Sequence, residues 1–94
     1  MYVNFTTNTT SSSVSSRYNS INVVASGTWG GATLAVEVLD QSANAWVAVY
    51  SATADIQKNV LVGSGTAYRL SCSGGAGHDL DVYVLEVQSK DLHL

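Results

Sequence analysis

Any chemistry in this chain would come from a few short stretches. The first is Trp29-Gly30-Gly31 in "SGTWGGATLAVEVLD". Glycine pairs cradle phosphates where a strand gives way to a helix and a Lys-Ser/Thr pair follows. Here no Lys follows, and the next residues alternate as a strand does. The second glycine pair, Gly63 and Gly65, has Tyr68 where a dinucleotide fingerprint needs its third glycine. A turn joining two strands is the simpler use of Gly30-Gly31, because glycine takes positive φ without a steric penalty.

Metal and nucleophile patterns are equally incomplete. Asp40, Ser42 and Asn44 begin like a calcium loop, but the sixth position is Ala45 and the twelfth Ser51, where Gly and Glu are needed. His78, Asp79 and Asp81 have ligand chemistry without a second histidine nearby, so a solvated turn is expected. No Gly-x-Ser-x-Gly elbow surrounds any serine, and only His78 and His93 could act as base. The carboxylates Glu37, Asp79, Asp81 and Glu86 fall on or beside strands with no sign of a cleft. The aromatics Trp29, Trp46, Tyr50, Tyr68 and Tyr83 remain. They either stack on sugars, if several share one face, or build a core or interface. The reading is a non-enzyme with no catalytic, cofactor-binding or metal-binding residues.

The elements that must position these residues are strands. Val, Ile and Thr are frequent, Pro is absent, and the apolar period is two rather than 3.6. A strand is predicted over about Tyr18 to Thr28. The next, "TLAVEVL", sets Leu34, Val36 and Val38 against Ala35, Glu37 and Leu39. "DQSANA" turns the chain into "WVAVYS", Trp46 to Ser51, making a hairpin. Lys58 to Val62 forms a short strand. "AYRLSCS" puts Tyr68, Leu70 and Cys72 inward, Cys72 as a small buried apolar side chain. "LDVYVLEVQ" sets Leu80, Val82 and Val84 against Asp81, Tyr83 and Leu85. The expected fold is all-β: an antiparallel β-sandwich, jelly-roll-like or related, of about six to eight strands.

Before this domain, "TTNTTSSSVSS" (Thr6 to Ser16) has one apolar residue, Val14. So little buriable surface predicts an extended polar arm over residues 1–17, reaching about 50–55 Å when extended. The sandwich is expected over 18–90, with a tail at 91–94. Tyr2, Val3 and Phe5 would anchor the arm on a partner. Its removal is expected to leave the sandwich folded.

Charged residues are 12% of the 94, against roughly 25% in average domains. The net charge of −3 and four basic residues provide no basic stripe for nucleic acid. No stretch has the composition of a signal peptide or the ~20 apolar residues of a membrane helix. Synthesis in a cytoplasm without export is expected.

The order "GTWGGAT", then a polar loop ending in "AWVAV", then "GTAYRLSCSGGAG" and an alternating last strand resembles small β-rich virion proteins of tailed bacteriophages. The residues carrying the likeness are Gly27 to Thr33, Trp46, Gly65, Tyr68, Arg69 and Leu70, within Ile21 to Val87. The chain departs from that pattern in the hairpin loop, "DQSANAW", which lacks the double glycine. The resemblance implies a structural role on the virion, foremost a capsid decoration (cement) protein that binds the major capsid protein across subunits. It would be made in the host cytoplasm and carried on the capsid surface. Self-association as a dimer or trimer is expected, without cofactor. Tyr2, Val3, Phe5, Trp29 and Tyr83 are the expected partner contacts. The rival expectation is a tail or fibre module that binds glycans through clustered Trp and Tyr.

Overall fold

A computed structural model describes residues 1–88. The expected tail at 91–94 and His93 lie outside them, as does the far end of the 18–90 domain. Eight strands follow one another: β1 (Tyr2–Phe5), β2 (Val14–Ser15), β3 (Ser20–Thr28), β4 (Thr33–Asp40), β5 (Ala45–Ala52), β6 (Ile56–Leu61), β7 (Ala67–Ser73) and β8 (Asp79–Val87). They form two antiparallel four-stranded sheets. Sheet A has the order β1-β8-β3-β6 and sheet B the order β2-β7-β4-β5.

The pairings are nested. β4 pairs with β5, β3 with β6, β2 with β7 and β1 with β8, as in one long hairpin. Two further pairings, β3 with β8 and β4 with β7, roll that hairpin into a sandwich. This eight-stranded antiparallel roll is a jelly roll.

The core comes from alternation. Ile21, Val23 and Ala25 of β3 face Leu34 and Val36 of β4, with Tyr68, Leu70 and Cys72 of β7 and Leu80, Val82 and Val84 of β8; all are buried. The β7 set was expected to point inward, and the β4 and β8 sets were each expected to share one face. Burial pushes the Cys72 thiol above its usual pKa, consistent with a small apolar filler.

Gly30 and Gly31 form the corner where the chain leaves sheet A for sheet B. Both have positive φ, 55° and 83°, and the turn closes through Ala32 N–H donating to Trp29 O at 2.8 Å. The corner also packs on the β7–β8 loop: Ala76 N–H donates to Gly30 O at 3.0 Å. A Cβ on Gly30 would overlap the Ala76 carbonyl oxygen. The glycine pair therefore makes a turn and admits a second backbone.

The N-terminal segment is not an extended arm in the described residues. β1 pairs with β8 on the edge of sheet A, and Phe5 is 1% exposed in the core. The chain then crosses to sheet B and follows the edge of β7. Cys72 N–H donates to Thr9 O at 2.8 Å, Ser11 N–H to Leu70 O at 2.8 Å, and Ser16 N–H to Thr66 O at 2.9 Å. Leu70 N–H donates to Ser11 Oγ, and the Asn8 amide exchanges two bonds with the Gly75 backbone. A polar, low-complexity run needs no apolar side chains to be held this way, because the strand edge supplies its partners. Removing residues 1–16 strips an edge strand from each sheet, which corrects the expectation that the sandwich would be indifferent to their loss.

Candidate interaction surfaces

The outward face of sheet A is built by cross-strand register. Tyr2 lies opposite Tyr83, and Tyr83 opposite Val24; Leu85 lies opposite Asn22 in the next outward row. Side chains on one face of neighbouring strands are close enough to touch. The result is an apolar band in which Tyr2 is 60% exposed and Tyr83 and Leu85 are each 54% exposed. Leu61, on β6, adds an exposed side chain beside Ser20.

One end of the band is polar and acidic. Asn4 Nδ2 donates to Asp79 Oδ1 at 2.7 Å and to Asp81 Oδ1 at 3.1 Å. The Tyr2 hydroxyl donates to Asp81. That hydrogen bond, with desolvation and the charges of Asp81 and Asp79, raises the phenol above its usual pKa. The two aspartates stand on the outward sheet face.

Sheet B turns a different face outward. Arg69 Nε sits 2.7 Å from Glu37 Oε1, and its guanidinium lies 4.3 Å from the centre of the Trp46 ring. Cation, carboxylate and indole satisfy one another. Ser51, Ser71 and Ser73 share this outward side by register.

A third feature is a groove of about 470 Å³ at the β2 edge, lined by Met1, Val14, Tyr18, Tyr68, Val84 and Glu86 among others. Its carboxylate, Glu86, is engaged within the groove. Glu86 accepts from Arg17 N–H at 2.7 Å and from the Tyr68 hydroxyl at 3.3 Å. Burial, then the Glu86 charge, pushes the Tyr68 phenol up to about 12.

The expected contact residues separate. Tyr2 and Tyr83 meet on the outer face of sheet A. Val3 is half-buried against the core. Phe5, expected at a contact, is a core residue, because on a strand it points opposite to Tyr2-side neighbours and into the sandwich. Trp29 is half-buried beside the core and donates its indole N–H to Asp55 Oδ1 at 2.7 Å.

The chemistry-bearing stretches are placed as follows. Asp40 Oδ1 accepts from Ser42 Oγ at 2.6 Å and from Ser42 N–H at 3.0 Å, which lowers its carboxyl pKa and shapes the hairpin loop. His78 is buried, with no hydrogen-bond partner for either ring nitrogen among the described residues. Asp79 and Asp81, by contrast, are exposed. Among the described residues no three His, Cys, Asp or Glu side chains gather as a metal site would require. The Trp and Tyr residues do not form one platform: Trp29 is at the corner, Trp46 on sheet B, and Tyr68 in the core. No helix of the described residues is long and apolar enough to cross a membrane.

Sequence reasoning named Tyr2 and Tyr83 but not their adjacency. It missed Asn4, Asp79 and Asp81 as a cluster, and Arg69 as the cover for Trp46. Both depend on cross-strand register, which a single strand's alternation does not carry. The chain matches no protein-family model, no curated protein and no solved structure.

Proposed function

We propose that this chain is a structural protein of a bacteriophage virion, a capsid decoration (cement) protein that adds binding area across coat subunits. The observation that carries the reading is the apolar band of sheet A, with Tyr2, Tyr83 and Leu85 each more than half exposed. An exposed apolar band with a polar rim is the anatomy of a protein–protein contact. The virion assignment rests on the sequence resemblance and on analogy, jelly rolls being frequent in capsids. In this reading Tyr2 and Tyr83 seat on coat protein, and Asp79, Asp81 and Asn4 form the rim. The work is binding, without cofactor, by a self-associating chain carried on the capsid surface.

The test uses particles from the host that encodes the chain, purified on a density gradient. The chain should co-sediment with intact heads at a fixed stoichiometry. Tyr83→Asp should remove it from heads while the purified variant keeps its fold. Absence of the wild-type chain from particles rejects the reading.

One observation favours a second reading, a glycan-binding module of a tail or fibre. The Tyr2–Tyr83 pair lies beside a carboxylate and amide cluster, and pyranose rings are held by aromatic stacking with polar groups at the edge. Glycan-array binding lost on Tyr83→Ala, with no attachment to heads, would select it. The Trp residues first considered for that role are not adjacent to this pair.

A further inference from the structure

Four strands end the two sheets, and three are protected. β1 is four residues long, and β2 is two residues within a polar segment. β6 carries Lys58 at a position whose register partner, Val23, faces the core, and its ammonium lies 5.9 Å from the Tyr50 ring. An inward charge on an edge strand is a recognised guard against pairing. β5, "AWVAVYSA", is the exception: eight residues, no charge, no Pro, and, among the described residues, pairing with β4 alone. Alternate N–H and C=O groups along β5 therefore face away from β4 with no strand to receive them.

We infer that β5 pairs antiparallel with β5 of a second copy of this chain, joining two B sheets across a two-fold axis. The bulge in β5 selects the occupant. The β4–β5 register shifts between Val36 and Glu37, leaving Val49 as the extra residue. Ala45, Val47, Tyr50 and Ala52 then lie on the core side, while Trp46, Ala48 and Ser51 point outward, by their partners on β4. About the Ala48–Val49 bond, Ala45 mirrors Ala52, Trp46 mirrors Ser51 and Val47 mirrors Tyr50, each pair on one face. A regular strand would fall out of phase at the bulge, since a one-residue slip sends side chains to the wrong face. A second copy does not. In this register Val47 meets Tyr50 of the second copy, and Trp46 meets Ser51, each pair twice.

Val47 is 46% exposed and Val49 43% exposed, so the pairing covers apolar side chains as well as backbone. No charged side chain within β5 is brought against its like. The contact is isologous, which closes at two copies rather than growing into a filament.

The test is made on the purified chain alone, with no particle present, so its failure leaves attachment to heads standing, and the reverse also holds. Light scattering after size exclusion should give twice the chain mass over the micromolar range. Val47→Lys and Val49→Lys, both at exposed positions, should each give the monomer mass with an unchanged circular dichroism spectrum. Leu85→Lys, on the other sheet, should stay dimeric. The double variant Trp46→Cys/Ser51→Cys should form a disulfide between copies under mild oxidation. Within one strand these two residues are about 16 Å apart, beyond disulfide reach. A monomeric or trimeric wild type, a dimer indifferent to both lysines, a dimer lost on Leu85→Lys, or a dimer without the cross-link would overturn the pairing.

Discussion

The outward faces of the two sheets are solved differently. On sheet B the large aromatic, Trp46, is covered by the chain's own Arg69, which Glu37 holds in place. On sheet A, Tyr83 and Leu85 stand on an inner strand and are each more than half exposed among the described residues. Both faces are made by the same alternation, so strand propensity does not separate them. What separates them is whether an outward aromatic is covered by a charged side chain of its own sheet or stands beside other exposed apolar groups. A satisfied face adds to the stability of the single chain. An unsatisfied one adds little to it and is better explained by what it meets.

The largest effect tests this on a single strand. Tyr2 and Phe5 belong to β1 but point to opposite sides. Phe5→Ala empties a packed position and should cost about 3–5 kcal/mol, the usual range for a buried phenylalanine. Tyr2→Ala should cost much less, measured by urea unfolding of both variants. Equal losses would mean that the outward face of sheet A is already packed within the monomer.

The next effect concerns the corner where the two sheets are joined. Gly30→Ala places a side chain at φ 55° and against the Ala76 carbonyl. It should destabilise by about 1–3 kcal/mol through backbone strain and displacement of the β7–β8 loop. Because that loop leads into Asp79 and Asp81, the variant should also alter hydrogen-exchange protection at the rim of sheet A, leaving Arg69 and Trp46 undisturbed. If instead the Trp46 fluorescence shifts, the two faces are mechanically coupled and the contrast drawn between them is weaker.

The sequence was legible where a strand reports on its own surroundings. Leu34 and Val36, Tyr68 with Leu70 and Cys72, and Leu80 with Val82 and Val84 all faced the core as their spacing required. Tyr83 was legible too, as a contact residue on the face of the last strand opposite Leu80, Val82 and Val84. Thr6 to Ser16 was not. Its stabilisation comes from backbone hydrogen bonds to the β7 edge and its loops, and counting apolar side chains cannot see those. Phe5 was misread for a related reason: a four-residue strand shows too little alternation to declare an inward side. The Arg69–Trp46 stack was hidden because it depends on which residues the β4–β5 bulge sets opposite one another.

The effect on sheet B should be modest. Arg69→Ala removes a partly exposed ion pair and the cover over Trp46, worth together about 1 kcal/mol after solvent screening. The loss should shrink in high salt to the part due to stacking. Arg69→Lys should recover the charge but not the planar contact with the indole. Trp46 emission should move to the red in Arg69→Ala and stay red-shifted in Arg69→Lys. An unshifted spectrum would show that the indole is sheltered by something other than the guanidinium.

The smallest effect on stability falls on sheet A and separates the faces most clearly. Tyr83→Ala should change unfolding free energy by about 0.5 kcal/mol or less, as at exposed surface positions. The same substitution should weaken attachment to heads by at least tenfold, a difference of about 1.4 kcal/mol, since a central aromatic in a contact carries more than its area suggests. The two measurements are independent, and their signs matter jointly. A large stability loss would place Tyr83 with Trp46, as a residue the chain needs for itself. A small loss with undiminished attachment would leave the exposed band of sheet A without a purpose in binding coat protein, and attention would move to the β5 edge as the surface that meets other chains.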